Sequence, residues 1–289
     1  MKKLIVLGVV IGLVAMAGAH KPEGETYIMF QFTDDTVPTC DGNLSDWEGM
    51  PEAYSITSEK LFSPSKTIRD VGRGVYDPSD INITHRWGFN AENEFFYLAT
   101  QVYDNYHDID RENLGYFWKD DSIEIRINVT AVLEEEHNLE GEPPNMINYH
   151  FGVPPLEGIY MGGAPPEWMP PNGDYIKFGW SYTGEMLMGE CTYIYEFGTT
   201  PVVGMGEDAA STEFMDVEEG EVVHINVTIP DIDAPQPATY NGFWAISPGP
   251  GNGPEVDFLL MEVEDPYPLT GGTAVEDFSW GMIKAGIAK

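Results

Sequence analysis

Two stretches of the chain concentrate side chains that hold cations or sugars. Asp104-Asn105-Tyr106-His107-Asp108-Ile109-Asp110 gathers three carboxylates, an amide and an imidazole in one short run. Hard oxygen donors dominate it, so calcium suits the run better than zinc. Tyr116-Phe117-Trp118-Lys119-Asp120-Asp121-Ser122-Ile123-Glu124-Ile125 sets aromatic residues before two adjacent carboxylates. An indole face stacks on the apolar side of a sugar ring, and carboxylates accept bonds from its hydroxyls. Asp41-Gly42-Asn43-Leu44-Ser45-Asp46-Trp47 is a turn former that also carries oxygen donors. The candidate cation ligands are Asp41, Asp104, Asp108, Asp110, Asp120 and Asp121. Each stretch also has an ordinary reading, as a solvated acidic loop or a core tryptophan.

Other chemistry finds little footing. No G-x-S-x-G, H-E-x-x-H or C-x-x-C run occurs. With 48 Asp and Glu, a pair of neighbouring carboxylates says nothing about hydrolysis. Only 14 Lys and Arg oppose them, for a formal net charge of −34. That balance excludes nucleic acid as a partner, because binding phosphates needs a basic face. Hydrophobic residues make up 42% of the 289, enough for a sizeable core despite the charge.

The elements that must position these residues read as strands. Ser122 to Val129 alternates, with Ile123, Ile125, Ile127 and Val129 on one face and Glu124, Arg126 and Asn128 on the other. Thr26 to Phe32, Ile83 to Phe89, Phe95 to Tyr103, Tyr175 to Tyr182, Glu185 to Phe197, Glu221 to Ile229, Gly242 to Ile246, Val256 to Val263 and Phe278 to Ile283 continue the pattern. Short strands separated by Gly and Pro predict an all-β, antiparallel sandwich. Residues 134–173 hold eight prolines and read as a long loop insertion with a short strand near Ile147 to Phe151.

Lys2 and Lys3, the apolar run Leu4 to Met16 and Ala17-Gly18-Ala19 have the form of a signal peptide cleaved after Ala19. This predicts a secreted or cell-surface protein with no transmembrane segment in the mature chain. Residues 20–38 would form an N-terminal strand and extension, and 39–289 one sandwich domain. Export permits a Cys40–Cys191 disulfide; two buried thiols are the alternative.

The order of motifs resembles carbohydrate-binding module family 9 and its wider superfamily. It runs through Asp41-Gly42 with Trp47, then Trp87 opening a strand pair, then Val102-Tyr103-Asp104. Trp118-x-x-Asp121-Ser122-Ile123-Glu124-Ile125 and a closing Phe278-Ser279-Trp280-Gly281 follow. The resemblance implies a jelly-roll-like β-sandwich with structural calcium. It places Trp118 as one wall of an aromatic clamp and Glu124 as a hydrogen-bonding partner of the sugar. The family's second clamp tryptophan and its binding arginine have no match. Trp168 in the proline-rich stretch, with Tyr149 and His150, are the residues offered in their place.

The resulting expectation is a non-catalytic, extracellular protein that binds a glycan or polysaccharide and has calcium-stabilised loops. One alternative is a self-assembling surface or matrix protein on the same sandwich. Another is a haem b-binding electron-transfer subunit of the ethylbenzene-dehydrogenase gamma type, with Met161, Met169, Met186 and Met188 near Lys177.

Overall fold

A computed structural model describes residues 26–62, 76–110, 119–129, 146–152, 161–163, 166–185, 188–233, 241–247 and 255–261. The signal segment, Trp118 and the closing strand at Phe278 to Ile283 lie outside the described residues.

Among those residues the chain is β throughout, apart from short 3-10 turns such as Leu44–Trp47. The strands are β1 (Thr26–Gln31), β2 (Ile56–Thr57), β3 (Ile81–Asn90), β4 (Phe95–His107), β5 (Ser122–Asn128), β6 (Met146–Gly152) and β7 (Met161–Gly163). They continue with β8 (Ile176–Gly184), β9 (Gly189–Thr199), β10 (Val202–Gly204), β11 (Glu213–Phe214), β12 (Val222–Asp231), β13 (Gly242–Ala245) and β14 (Val256–Leu260).

Two sheets face each other. Sheet A runs β7-β6-β5-β12-β14 with β13 also on β12, and sheet B runs β3-β4-β9-β8 with β2 on β3. β1 belongs to both. Thr26 to Met29 pair with β14, and Phe30 and Gln31 then pair with β3. Both pairings are parallel, whereas the other strand pairs among the described residues are antiparallel.

The core follows from the period of two. Ile123, Ile125 and Ile127 on β5 and Phe96, Leu98 and Val102 on β4 are all buried in one core. The short strand expected near Ile147 to Phe151 is β6, an interior strand of sheet A between β5 and β7.

Loop 39–47 lies on the outer face of sheet B. There Gly179 admits the Cys40 carbonyl at a point where a Cβ would stand 2.2 Å from it. Gly42 takes φ of +83°, a conformation that favours glycine.

The Cys40–Cys191 bridge is absent, and both thiols are free. Cys40 lies at Gly179, which pairs with Glu196; Cys191 is further along the same strand. Five residues of extended chain span about 16 Å, well beyond disulfide reach. Burial pushes both thiols up. Intact mass of the alkylated, denatured protein is expected to show two modified cysteines without prior reduction.

Candidate metal centre and ligand face

Three strands end on an aspartate at the step where alternation calls for another core residue. On β4 the inward series Phe96-Leu98-Thr100-Val102 ends on Asp104. Asp121 precedes Ile123 on β5, and Asp231 follows Ile229 on β12. Strands from both sheets therefore deliver Asp104, Asp121 and Asp231 to one end of the sandwich, each 1% exposed or less. Asp233 joins them. Oxygens of Asp104, Asp231 and Asp233 lie within 4.8 Å of one another.

A second group adjoins the first. Asp108, Asp110 and Asp120 bring one oxygen each within the same 4.8 Å. Bonds donated by backbone N–H groups tie the two segments together. Asp121 donates its N–H to the Asp108 carbonyl at 3.0 Å, and Asp110 donates to Asp120 Oδ1 at 3.2 Å. A third combination joins Asp104, His107 and Asp121.

Burial and mutual repulsion raise the pKa values of several of these carboxylates. Burial pushes Asp231 up to about 8, aided by the charge of Asp104. Asp108 rises to about 7 through burial and then Asp110, and Asp233 to about 6 through burial and then Asp80. Asp121 is raised well above the usual carboxylate range by burial, then by Asp104 and Asp231. Asp104 Oδ2 and Asp233 Oδ1 are buried and accept no hydrogen bond. Uncompensated buried carboxylates are costly, and a divalent ion relieves them. The described residues thus fit calcium through oxygen donors alone at Asp108, Asp110 and Asp120.

Of the six sequence candidates, Asp104, Asp108, Asp110, Asp120 and Asp121 converge here, while Asp41 does not. Asp41 is exposed, and its Oδ1 accepts the Asn43 N–H at 2.9 Å in a turn on the outer face of sheet B. Its local partner is Glu196, which sequence reasoning missed. Glu196 Oε2 accepts the N–H groups of Asp41, Gly42 and Asn43 at 3.0, 2.6 and 3.0 Å, and Oε1 accepts the Trp47 indole at 2.8 Å. The D-G-N-x-x-x-W motif is therefore a carboxylate-anchored loop. Asp231 and Asp233 were also missed; their place at the end of an alternating strand was the available signal.

Rows of buried polar side chains occupy the outer face of sheet A. The registers set His150, Glu124 and Thr228 in one row, and Asn148, Arg126 and Asn226 in the next. A third row holds Asn128, His224 and Asp257. All are 9% exposed or less. Arg126 Nε donates to Asn148 Oδ1 at 2.7 Å and stands 3.9 Å from Glu255. Burial raises Glu124 to about 7, opposed by Arg126. Both polar atoms of the Asn226 amide lack a hydrogen-bond partner, at 1% exposure.

Glu124 and His150 thus belong to this face, but Tyr149 does not. Tyr149 shares the inward phase of Ile147 and Phe151. Its ring packs 4.7 Å from Phe197, and its hydroxyl shares a 2.9 Å hydrogen bond with Thr199 Oγ1. It is a core residue. Trp168 packs against the core with Tyr175 and Phe214 around it. Among the residues considered for haem, Met169 is fully buried in the core, while Lys177 is exposed and donates to the Gly173 carbonyl.

No protein-family model and no curated protein matches the sequence. Among solved structures, the chain is similar to a carbohydrate-binding module family 9 from Caldicellulosiruptor kristjanssonii in complex with cellotriose. Identity is 10% and the TM-score 0.47, over 85% of this chain and 100% of that one. A glucose complex of a family 9 module from the same organism gives 10% and 0.46, over 84% and 98%. These scores leave any functional argument to the side chains of this chain.

Proposed function

We propose that this protein is a non-catalytic glycan-binding module stabilised by calcium, with the outer face of sheet A as its binding surface. The observation that carries the reading is the Asn226 amide, both of whose polar atoms lack a hydrogen-bond partner on that face. Sugar hydroxyls both donate and accept. Glu124 as acceptor and the Asn226 amide as both donor and acceptor, on adjacent strands, supply that mixture. Glu124, Glu255 and Asp257 outnumber Arg126 there, which disfavours an anionic ligand. Trp118 is the stacking partner implied by the family motif. Calcium on Asp108, Asp110 and Asp120 would hold the segment leading into β5, which carries Glu124 and Arg126.

Affinity electrophoresis on a panel of soluble polysaccharides tests the reading. Retention by at least one β-glucan or xylan is expected. Asn226→Ala should weaken it about fivefold to tenfold, the worth of one or two neutral hydrogen bonds. Because the amide makes none within the described protein, its loss should leave the melting temperature unchanged or raised. Failure to bind any glycan, or retention untouched by Asn226→Ala and Trp118→Ala together, overturns the proposal.

A further inference from the structure

The carboxylate end of the sandwich contains one donor that calcium does not explain. His107 has its Nδ1 3.5 Å from Asp121 Oδ2 and 3.7 Å from Asp104 Oδ2, and all three side chains are 1% exposed or less. In a regular strand, residues three apart point to opposite faces. Here the β4–β9 register shifts between Asp104 and His107. Asp104 pairs with Cys191 and His107 with Gly189, so three steps on β4 oppose two on β9. This bulge turns His107 inward beside Asp104. The neighbouring backbone secures it. Met188, at φ of +61°, donates its N–H to the His107 carbonyl at 2.8 Å.

We propose that Asp104, His107 and Asp121 form a separate site for a borderline divalent transition-metal ion of the zinc class. It is independent of whatever the polar face binds, and distinct from the all-oxygen calcium group at Asp108, Asp110 and Asp120. Imidazole favours zinc and its neighbours over calcium. Two ligands at zinc distances of about 2.0–2.1 Å, set at a tetrahedral angle, stand about 3.4 Å apart. The separations from Nδ1 to the two carboxylate oxygens fit that spacing.

The carboxylates are already aimed by backbone donors, as ligands commonly are. Asp104 Oδ1 accepts the Tyr106 N–H at 2.8 Å, which leaves Oδ2 without a hydrogen bond. Asp121 Oδ1 accepts the Ile232 N–H at 2.8 Å, and Oδ2 accepts the Asp108 N–H. A separate feature points to the same place. The Tyr193 ring lies 4.3 Å from the His107 ring, and its hydroxyl is fully buried with no hydrogen-bond partner. The charges of Asp104, Asp121 and Asp231 all act on that hydroxyl. A phenol in this position can bond to a metal-bound water or complete the coordination. Among the described residues, the basic side chain set against Asp104 and Asp121 is His107 itself, the imidazole of the site.

The test uses the full mature chain, chelated and then saturated with calcium. Cobalt(II) serves as the spectroscopic probe. One equivalent should bind without releasing calcium. It should give visible d–d absorption and a paramagnetically shifted imidazole N–H resonance from one histidine. Zinc should displace it, whereas excess calcium should not. His107→Gln should weaken cobalt binding at least about 100-fold, while the melting-temperature gain from calcium persists. The imidazole resonance is read on the unaltered protein, so the proposal stands or falls even if the variant does not fold. Absence of cobalt binding, competition by calcium one for one, or a bound cobalt with no histidine resonance overturns it.

Discussion

Removing divalent cations at pH 8 should lower the melting temperature by about 10 °C or more, and acidifying the chelated protein to pH 6 should recover part of that loss. The sign follows from the carboxylates at the end of the sandwich. Asp231, Asp108 and Asp233 are pushed by burial, and then by their neighbours, to about 8, 7 and 6, with Asp121 also raised. An unfolded aspartate titrates near 3.9. Between these values the folded, metal-free state binds more protons than the unfolded one, so its stability falls as pH rises. The contribution is fully present below the unfolded pKa and is lost through pH 6 to 8.

A bound cation replaces those protons, so calcium should flatten or reverse the slope. Two buried histidines temper the recovery on the acid side. Burial holds His85 and His150 down to about 3. The unfolded chain takes up protons on both below about pH 6.5, which offsets part of the gain from the four raised aspartates there. The metal-free protein should therefore keep gaining stability below pH 6, with a shallower slope than between pH 6 and 8. With about 2–4 °C per kcal/mol for a chain of this size, a loss of a few kcal/mol gives the stated shift. Calorimetry in calcium and in chelator at pH 5, 6, 7 and 8 reads it out. Equal melting at pH 8 with and without chelator would sink the claim, as would a chelated protein that gains stability from pH 6 to 8.

Most of this architecture was legible as parity along the strands. Ile123, Ile125 and Ile127 define the inward phase of β5, and the same phase carried backwards reaches Asp121. Carried forwards on β4 and β12, it reaches Asp104 and Asp231. Asp104 and Asp121 were found through their acidic neighbours, whereas Asp231 was passed over. In a chain with 48 carboxylates the residue type alone discriminates nothing; its phase does. The same parity argues against Tyr149 as a ligand, since Ile147 and Phe151 flank it on the core side. What parity cannot supply is long-range docking. Glu196 falls on the outer phase of β9, normally a solvated position. It is buried because loop 39–47, remote in sequence, lies over it. Nor does parity say that Cys40 and Cys191 stand at different places along one strand, or that a bulge turns His107 inward.

Replacing Glu196 should be among the most damaging single changes in the protein. Its carboxylate is 1% exposed and accepts four hydrogen bonds, three from the consecutive N–H groups of Asp41, Gly42 and Asn43 and one from Trp47. Burial raises its pKa, and these donors oppose the rise by favouring the charged form. Glu196→Ala leaves several buried donors without an acceptor and opens a void under the loop, for a cost of about 3–5 kcal/mol. Glu196→Gln keeps the shape but turns an amide NH2 toward at least one of those donors. Its cost should be intermediate, about 2 kcal/mol. Asp41→Ala is the contrasting control. It removes only the exposed bond to the Asn43 N–H, for about 0.5–1 kcal/mol, and should leave calcium affinity unchanged. Urea unfolding followed by tryptophan fluorescence gives all three values, because Trp47 reports directly on the loop. A Glu196→Ala variant within about 1 kcal/mol of the parent would mean that the loop is held by the packing of Phe32, Trp47 and Tyr97 instead.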